Sequence, residues 1–155
     1  MIFVTVGTTD FDGLIQTMDQ LAARIDEKVV AQIGKGNYTP VHMDHFRFAP
    51  SLDPYFDTAR IVISHGGLGT LVEVLQKGCK LIGVNNPDRY DLHQEELLKV
   101  LEEQGHLIWC REMSLLAEAL EEVDGRIFVP YDKPRCTIAE VIKDYLDINR
   151  KIFRE

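Results

Sequence analysis

The chain has 155 residues, 45% of them apolar, and a formal charge of −8. That length supports a proper core and reads as one domain over residues 1–155, and the acidic balance excludes a nucleic-acid-binding face, which needs cations against phosphate. No apolar run reaches the ~18 residues of a membrane span and no signal peptide precedes the first strand, while three cysteines (Cys79, Cys110 and Cys136) without C-x-x-C spacing give neither a disulfide framework nor a zinc site, so a reducing cytoplasm fits.

Residues 2–6 read as a short buried strand, followed by the polar turn Gly7-Thr8-Thr9-Asp10. Phe11, Leu14, Ile15, Met18, Leu21, Ala22 and Ile25 then recur at helical spacing and give one apolar face. Residues 29–33 form a second strand, closed by Gly34-Lys35-Gly36-Asn37. This is no P-loop, because glycine follows Lys35 where Ser or Thr should stand. Phe46 and Phe48 suggest a third strand, and the two prolines within residues 50–57 a short turn of helix.

Residues 61–63 are three β-branched apolar residues in a row, and Ser64-His65-Gly66-Gly67-Leu68-Gly69-Thr70 stops them with three glycines. Thr70 is expected to cap the helix that follows, running to Lys77 with Gly78 as its stop. A strand, a glycine loop and a helix start make a ready anion site, because free N–H groups of the first turn point at the ligand. Thr70 and Glu73 equally read as a T-x-x-E capping box that needs no ligand. Residues 81–84 are the next strand, broken by Asn85-Asn86-Pro87-Asp88, and residues 91–104 a strong helix ended by Gly105. Two further strands are expected at 107–110 and 127–129, with a helix over 114–122 between them. Pro134 opens a C-terminal helical segment over 134–155 with a stripe of Ile138, Val141, Ile142, Tyr145, Ile148 and Ile152. That stripe either packs on the sheet or, in its last turns, meets a partner surface.

Strands alternating with helices predict an α/β fold with a doubly wound parallel sheet. Ligands of such sheets sit beyond the carboxyl ends of the strands, where the loops 7–9, 64–70 and 85–94 should meet. The dinucleotide fingerprint G-x-G-x-x-G is absent after the first strand, which disfavours NAD. His42, Asp44 and His45 suggest a metal cluster, but an i, i+3 pair on a strand faces opposite sides, so a solvated loop is the better reading. Glu95-Glu96 and Glu121-Glu122 read as solvated helix faces, and Trp109 as core.

The run His65-Gly66-Gly67-Leu68-Gly69-Thr70-Leu71-Val72-Glu73, followed by Asn85-Asn86-Pro87 and Asp91-Leu92-His93-Gln94, resembles the donor-sugar signature of UDP-sugar glycosyltransferases. The likeness is to the MurG-like C-terminal half of GT-B enzymes. It is nearer still to the small catalytic subunits of two-component N-acetylglucosaminyltransferases that make lipid-linked chitobiose, and to their relatives in exopolysaccharide synthesis. Val4-Thr5-Val6-Gly7-Thr8-Thr9 and Gln32-Ile33-Gly34-Lys35-Gly36 match those subunits as well. The resemblance runs from the first strand to about Cys110.

The resemblance implies a Rossmann-like domain in which Gly7, Thr8 and the loop of Gly66, Gly67, Gly69 and Thr70 hold the UDP diphosphate. Glu73 would accept hydrogen bonds from the ribose, and Gln94 with His93 would read hydroxyls of the donor sugar. His65 would stand at the same site or serve as a satisfied loop histidine. Neither metal nor other cofactor is implied. The resembling fold holds donor and acceptor between two domains and this chain supplies one, so the acceptor site and the general base are expected on a membrane-associated partner subunit. That partner would bring this chain to the inner face of the membrane and to a lipid-linked acceptor. The alternatives are a non-catalytic enhancer subunit that stabilises a partner enzyme, and a sugar-nucleotide epimerase.

Overall fold

The structure is a computed structural model that describes residues 1–87 and 92–133, with 137, 138, 142, 143 and 145 beyond them. Six parallel strands lie side by side in the order β3-β2-β1-β4-β5-β6. They are β1 (Ile2–Thr5), β2 (Val29–Gln32), β3 (Asp44–Phe46), β4 (Ile61–His65), β5 (Lys80–Val84) and β6 (Ile108–Cys110). The helices are α1 (Asp12–Ala22), α2 (Asp53–Phe56), α3 (Leu68–Gln76) and α4 (Leu92–Glu103) between strands, and α5 (Leu116–Gly125) after β6, preceded by one 3-10 turn. This is the doubly wound parallel sheet that the alternating pattern predicts.

The apolar strands serve both faces by alternation. Ile2, Val4, Ile61, Ile63, Ile82 and Val84 face α1 and α5, where Leu14, Ile15, Met18, Leu116, Leu120 and Val123 cover them. Phe3, Val62 and Leu81 face the other way, onto Phe56 of α2, Leu71, Val74 and Leu75 of α3, and Leu98 and Leu101 of α4. Each such fully buried side chain stabilises the fold by about 1.5–3 kcal/mol relative to exposure, so both helical layers are firmly held.

Two edges complete the sheet. β3 has only three residues, with Asp44 in a 3.0 Å ion pair with Lys28. On the opposite edge the Trp109 N–H donates to the Glu102 carboxylate at 3.0 Å, and Arg111 pairs with the same carboxylate at 2.6 Å. The Arg111 guanidinium also lies over the indole, 4.1 Å from its centre. Trp109 is half-buried at the edge and packs against the margin of the core.

Several expectations are corrected. Phe48 lies beyond β3 and is exposed, so the third strand ends at Phe46. Residues 127–129 make no strand: Ile127 is exposed, and the segment is held at Val129, whose N–H donates to the Gly105 carbonyl at 3.0 Å and whose carbonyl lies 2.9 Å from the His106 ring nitrogen Nδ1. Of the C-terminal stripe, Ile138, Ile142 and Tyr145 are helical but exposed, while Val141, Ile148 and Ile152 lie outside the described residues.

The stripe of α1 also holds a residue that periodicity passes over. Asp19 is 2% exposed, and its carboxylate accepts from the Tyr38 hydroxyl at 2.7 Å, the Val41 N–H at 3.0 Å and the His42 N–H at 2.7 Å. His42 is thereby a clamp residue of this loop, and no His, Cys, Asp or Glu cluster able to hold a metal occurs among the described residues. Burial alone would raise the Asp19 pKa, but the donated bonds from His42, Val41 and Tyr38 together outweigh it and hold it below the ordinary 3.8. Its stabilising effect is thus complete above the unfolded value and is lost as pH falls through the folded one. We expect Asp19→Asn to cost at least about 2 kcal/mol at neutral pH, since each stranded buried donor costs about 1–3 kcal/mol. Urea unfolding at neutral pH and again below the ordinary aspartate pKa checks this, and the gap between wild type and variant should narrow in acid.

Candidate functional site

The sheet order places β1 beside β4, with Thr5 opposite Ser64 at their carboxyl ends. From there the chain runs to α1 on one face and to α3 on the other, so the two loops diverge. A crevice of ≈ 620 Å³ opens between them, where doubly wound folds bind ligands. It is lined by Gly7, Thr8, His65, Gly67, Gly69, Thr70, Glu73 and Gln94 among the residues singled out from the sequence.

Gly66 and His93 stand apart from that lining. A Cβ on Gly66 would lie 2.9 Å from the Gln94 Cβ and 3.2 Å from Leu98, so this glycine lets α4 close on the loop and bring Gln94 in. His93 is 90% exposed in its side chain and sits 3.8 Å from Glu96, turned away from the crevice. Of the segment 85–94, the Asn86 amide ties the β5 end to the β1 loop by a 3.1 Å bond to the Asp10 carbonyl, and the Asn85 amide donates to Glu95 at 3.1 Å. Residues 88–91, including Asp91, lie outside the described residues.

The loops meet around one imidazole. His65 is 8% exposed, and Gly7, at φ 61°, would put a Cβ 3.1 Å from its Cε1. A Cβ on Gly67 would come 2.5 Å from its Nε2. Both glycines therefore leave the room that the ring fills.

The start of α3 differs from the sequence expectation. The N-cap is Gly67, with φ −75° and ψ 119°, and no side chain caps the helix. Thr70 stands at the third helical position and Glu73 nearly a turn further on, so neither belongs to a capping box. Glycine reaches N-cap geometry on its backbone alone. The first N–H that finds an intrahelical acceptor is that of Leu71, bonded to the Gly67 carbonyl at 3.0 Å. Among the described residues no acceptor meets the N–H groups of Leu68, Gly69 and Thr70. A Cβ on Gly69 would meet nothing within 4 Å, so the backbone there is open to close approach. Glu73 is exposed and lines the crevice from the second turn of α3.

Sequence reasoning gave no site role to Gln32 or to residues 49–52, which also line the crevice. Gln32 ends a strand that is otherwise apolar and is 4% exposed, and a buried amide at the carboxyl end of a central strand is the signal that could have marked it. The Thr5 hydroxyl donates to Gln32 Oε1 at 2.6 Å and accepts the Gly7 N–H at 3.1 Å. Gln94 holds its Oε1 buried without a hydrogen-bond partner. No lysine or arginine lines the crevice among the described residues. The arrangement offers N–H and amide donors, threonine hydroxyls and one carboxylate, which suits a ligand that joins an anion to a polyol. A helix N-terminus contributes about 0.3–2 kcal/mol to such an anion.

Comparison with known proteins gives a consistent set. Residues 1–146 match the glycosyltransferase family 28 C-terminal domain. The human UDP-N-acetylglucosamine transferase subunit ALG13 is 36% identical over 122 residues, covering 70% of this chain and 11% of that protein. A Prochlorococcus marinus UDP-N-acetylglucosamine–N-acetylmuramyl-(pentapeptide) pyrophosphoryl-undecaprenol N-acetylglucosamine transferase is 26% identical over 134 residues, covering 81% of this chain and 37% of that protein. The chain thus spans about a tenth of the one and about a third of the other. In structure, MurG of Acinetobacter baumannii superposes with a TM-score of 0.64 at 17% identity, over 79% of this chain and 40% of that one. A solution structure of ALG13 superposes at 0.61 and 18% identity, over 86% and 90%.

The glycine geometry separates structural from open positions. Gly67→Ala should destabilise the fold by about 1–3 kcal/mol, because its methyl meets the packed His65 ring. Gly69→Ala should be neutral or stabilising by up to about 1 kcal/mol, since it adds a helix former in open space. Chemical denaturation of the two variants checks the contrast.

Proposed function

The chain belongs to the glycosyltransferase family 28 C-terminal domains, and on that premise we propose that it is the donor-binding catalytic subunit of an inverting UDP-sugar glycosyltransferase. UDP-N-acetylglucosamine is the donor that the names of its relatives favour. The observation that carries the reading is the start of α3: three unbonded N–H groups at Leu68, Gly69 and Thr70, beside an open Gly69, with Glu73 on the same crevice.

In this reading the diphosphate lies on those N–H groups and against Gly7 and Thr8. Glu73 accepts from the ribose hydroxyls, and Gln94 reads the sugar; with His93 turned outward, the amide does this alone. The acceptor hydroxyl attacks the anomeric carbon from the side opposite the diphosphate, the glycosidic carbon–oxygen bond to UDP breaks, and a general base takes the hydroxyl proton. Donors preorganised where charge develops on the leaving group are worth about 2.7–4 kcal/mol each. They serve departure of UDP without a metal in this proposal. No residue of the crevice is assigned as the base, so the base and the lipid-linked acceptor site belong to a membrane-associated partner subunit. The subunit status in the ALG13 name supports that division. No helix among the described residues is long and apolar enough to cross a membrane, and in the proposal the partner recruits this cytoplasmic chain to the membrane surface.

Two measurements test the reading. Isothermal titration of the chain with UDP in EDTA should give heat at micromolar to millimolar concentration, and no heat at millimolar UDP would refute donor binding. Glu73→Gln should leave the melting temperature almost unchanged, because Glu73 caps nothing. It should weaken UDP at least tenfold, as charge-assisted bonds are worth about 1.5–3 kcal/mol. Unchanged affinity would make Glu73 a bystander.

A further inference from the structure

We infer that Gln32 is a nucleotide-binding residue of the crevice, whose side-chain amide donates a hydrogen bond to a phosphate oxygen of the bound nucleoside diphosphate, with Thr5 as the residue that orients it. This rests on the donor-binding reading above and adds to it a residue outside the glycine loop.

Gln32 is 4% exposed and ends β2, next to β1 in the sheet, so its backbone is fixed by strand pairing with Thr5. Its orientation is fixed as well. The Thr5 hydroxyl already accepts the Gly7 N–H at 3.1 Å, and its own proton goes to Gln32 Oε1 at 2.6 Å. The reverse amide orientation would present N–H to that hydroxyl and leave its proton without this acceptor. The carbonyl end of Gln32 is therefore turned inward, onto Thr5. Among the described residues its Nε2 has no hydrogen-bond partner, and it keeps some solvent exposure where the residue lines the crevice.

A buried amide held by one end and open at the other is a preorganised donor. It loses little side-chain entropy when a ligand arrives, because the folded chain has already fixed its rotamer. Its neighbour on the same hydroxyl is Gly7, where the backbone lacks a Cβ on the approach to the crevice. Among the described residues no lysine or arginine is in the lining, so the donors these residues offer an anion are neutral, and Gln32 stands on the β2 side of Gly7 as the α3 amides stand on the β4 side. The nucleotide's anionic part would then bridge the switch point between the two halves of the sheet.

The test uses the whole chain, with UDP and UDP-N-acetylglucosamine as probes and the melting temperature of each variant as a control. Gln32→Glu keeps the shape and the oxygen that Thr5 bonds, but turns the donor into a charge of the ligand's own sign. It should bind UDP at least tenfold more weakly than wild type. Gln32→Met, which removes the donor and adds no charge, should lose about threefold to tenfold. Both variants should lose equal factors for UDP and for UDP-N-acetylglucosamine, because the contact is to the nucleotide. Thr5→Val should lose UDP affinity while Gln32 remains. As a measurement free of substitution, the Gln32 side-chain amide resonances of the wild type should shift on adding UDP. Affinities within twofold of wild type in both Gln32 variants, or loss confined to the sugar nucleotide, would overturn the assignment while donor binding stood. Failure of the wild type itself to bind UDP would overturn both.

Discussion

The pairing of β1 with β4 is the constraint from which the site follows. These strands are far apart in sequence yet run parallel in register, Ile2 against Ile61 through Thr5 against Ser64. Right-handed crossovers place α1 on one face and α3 on the other. The two loops that leave this pair must therefore part, and the crevice is what remains between them. Its three glycines divide the work: Gly7 and Gly67 leave room for the His65 ring, while a Cβ on Gly69 would meet nothing within 4 Å, so there the backbone itself lies open to the crevice.

The proposed anion site in a chain of net charge −8 would be an electrostatic compromise. The field of the whole molecule opposes a nucleoside diphosphate, although at physiological salt that field is screened beyond about 8 Å. Within the crevice the balance is local. In the proposed binding mode the oriented N–H groups at the start of α3 and the Gln32 amide would act on the diphosphate at hydrogen-bond distance, where screening does not reach. The carboxylate of Glu73 sits away from the helix start, on the second turn, so it can serve hydroxyl groups without crowding the anion's donors.

Much of this was legible in the sequence, for reasons that can be named. Runs such as Ile61-Val62-Ile63, short, β-branched and stopped by glycines, read as a central strand buried on both faces, and the stop residues Gly78 and Gly105 follow α3 and α4 as expected. The glycine-rich loop marked the site because glycine spacing reports backbone approach. What failed was side-chain logic at the helix start. Thr70 looked like a cap, but Gly67 takes the capping geometry with no side chain at all, and this moved the free donors three residues upstream. Asp19 and Gln32 were passed over because each occupies one polar position in an apolar pattern, and their partners (Tyr38, Val41 and His42 for one, Thr5 for the other) come from elsewhere in the fold. Periodicity sees one element at a time. Ile127, apolar and exposed, shows the converse: a short apolar run does not by itself make a strand.

The treatment of the sheet's two margins bears on how this molecule can associate. An exposed parallel edge offers a row of unpaired N–H and C=O groups to any passing strand. Here one margin is cut to three residues and flanked by an ion pair. On the other margin the Glu102 carboxylate occupies the outward N–H of Trp109, with Arg111 closing over the indole. Edge-to-edge polymerisation is thereby discouraged on both sides. Association through sheet extension is thus disfavoured, and the carboxyl ends of the strands keep the unfilled space of the fold accessible.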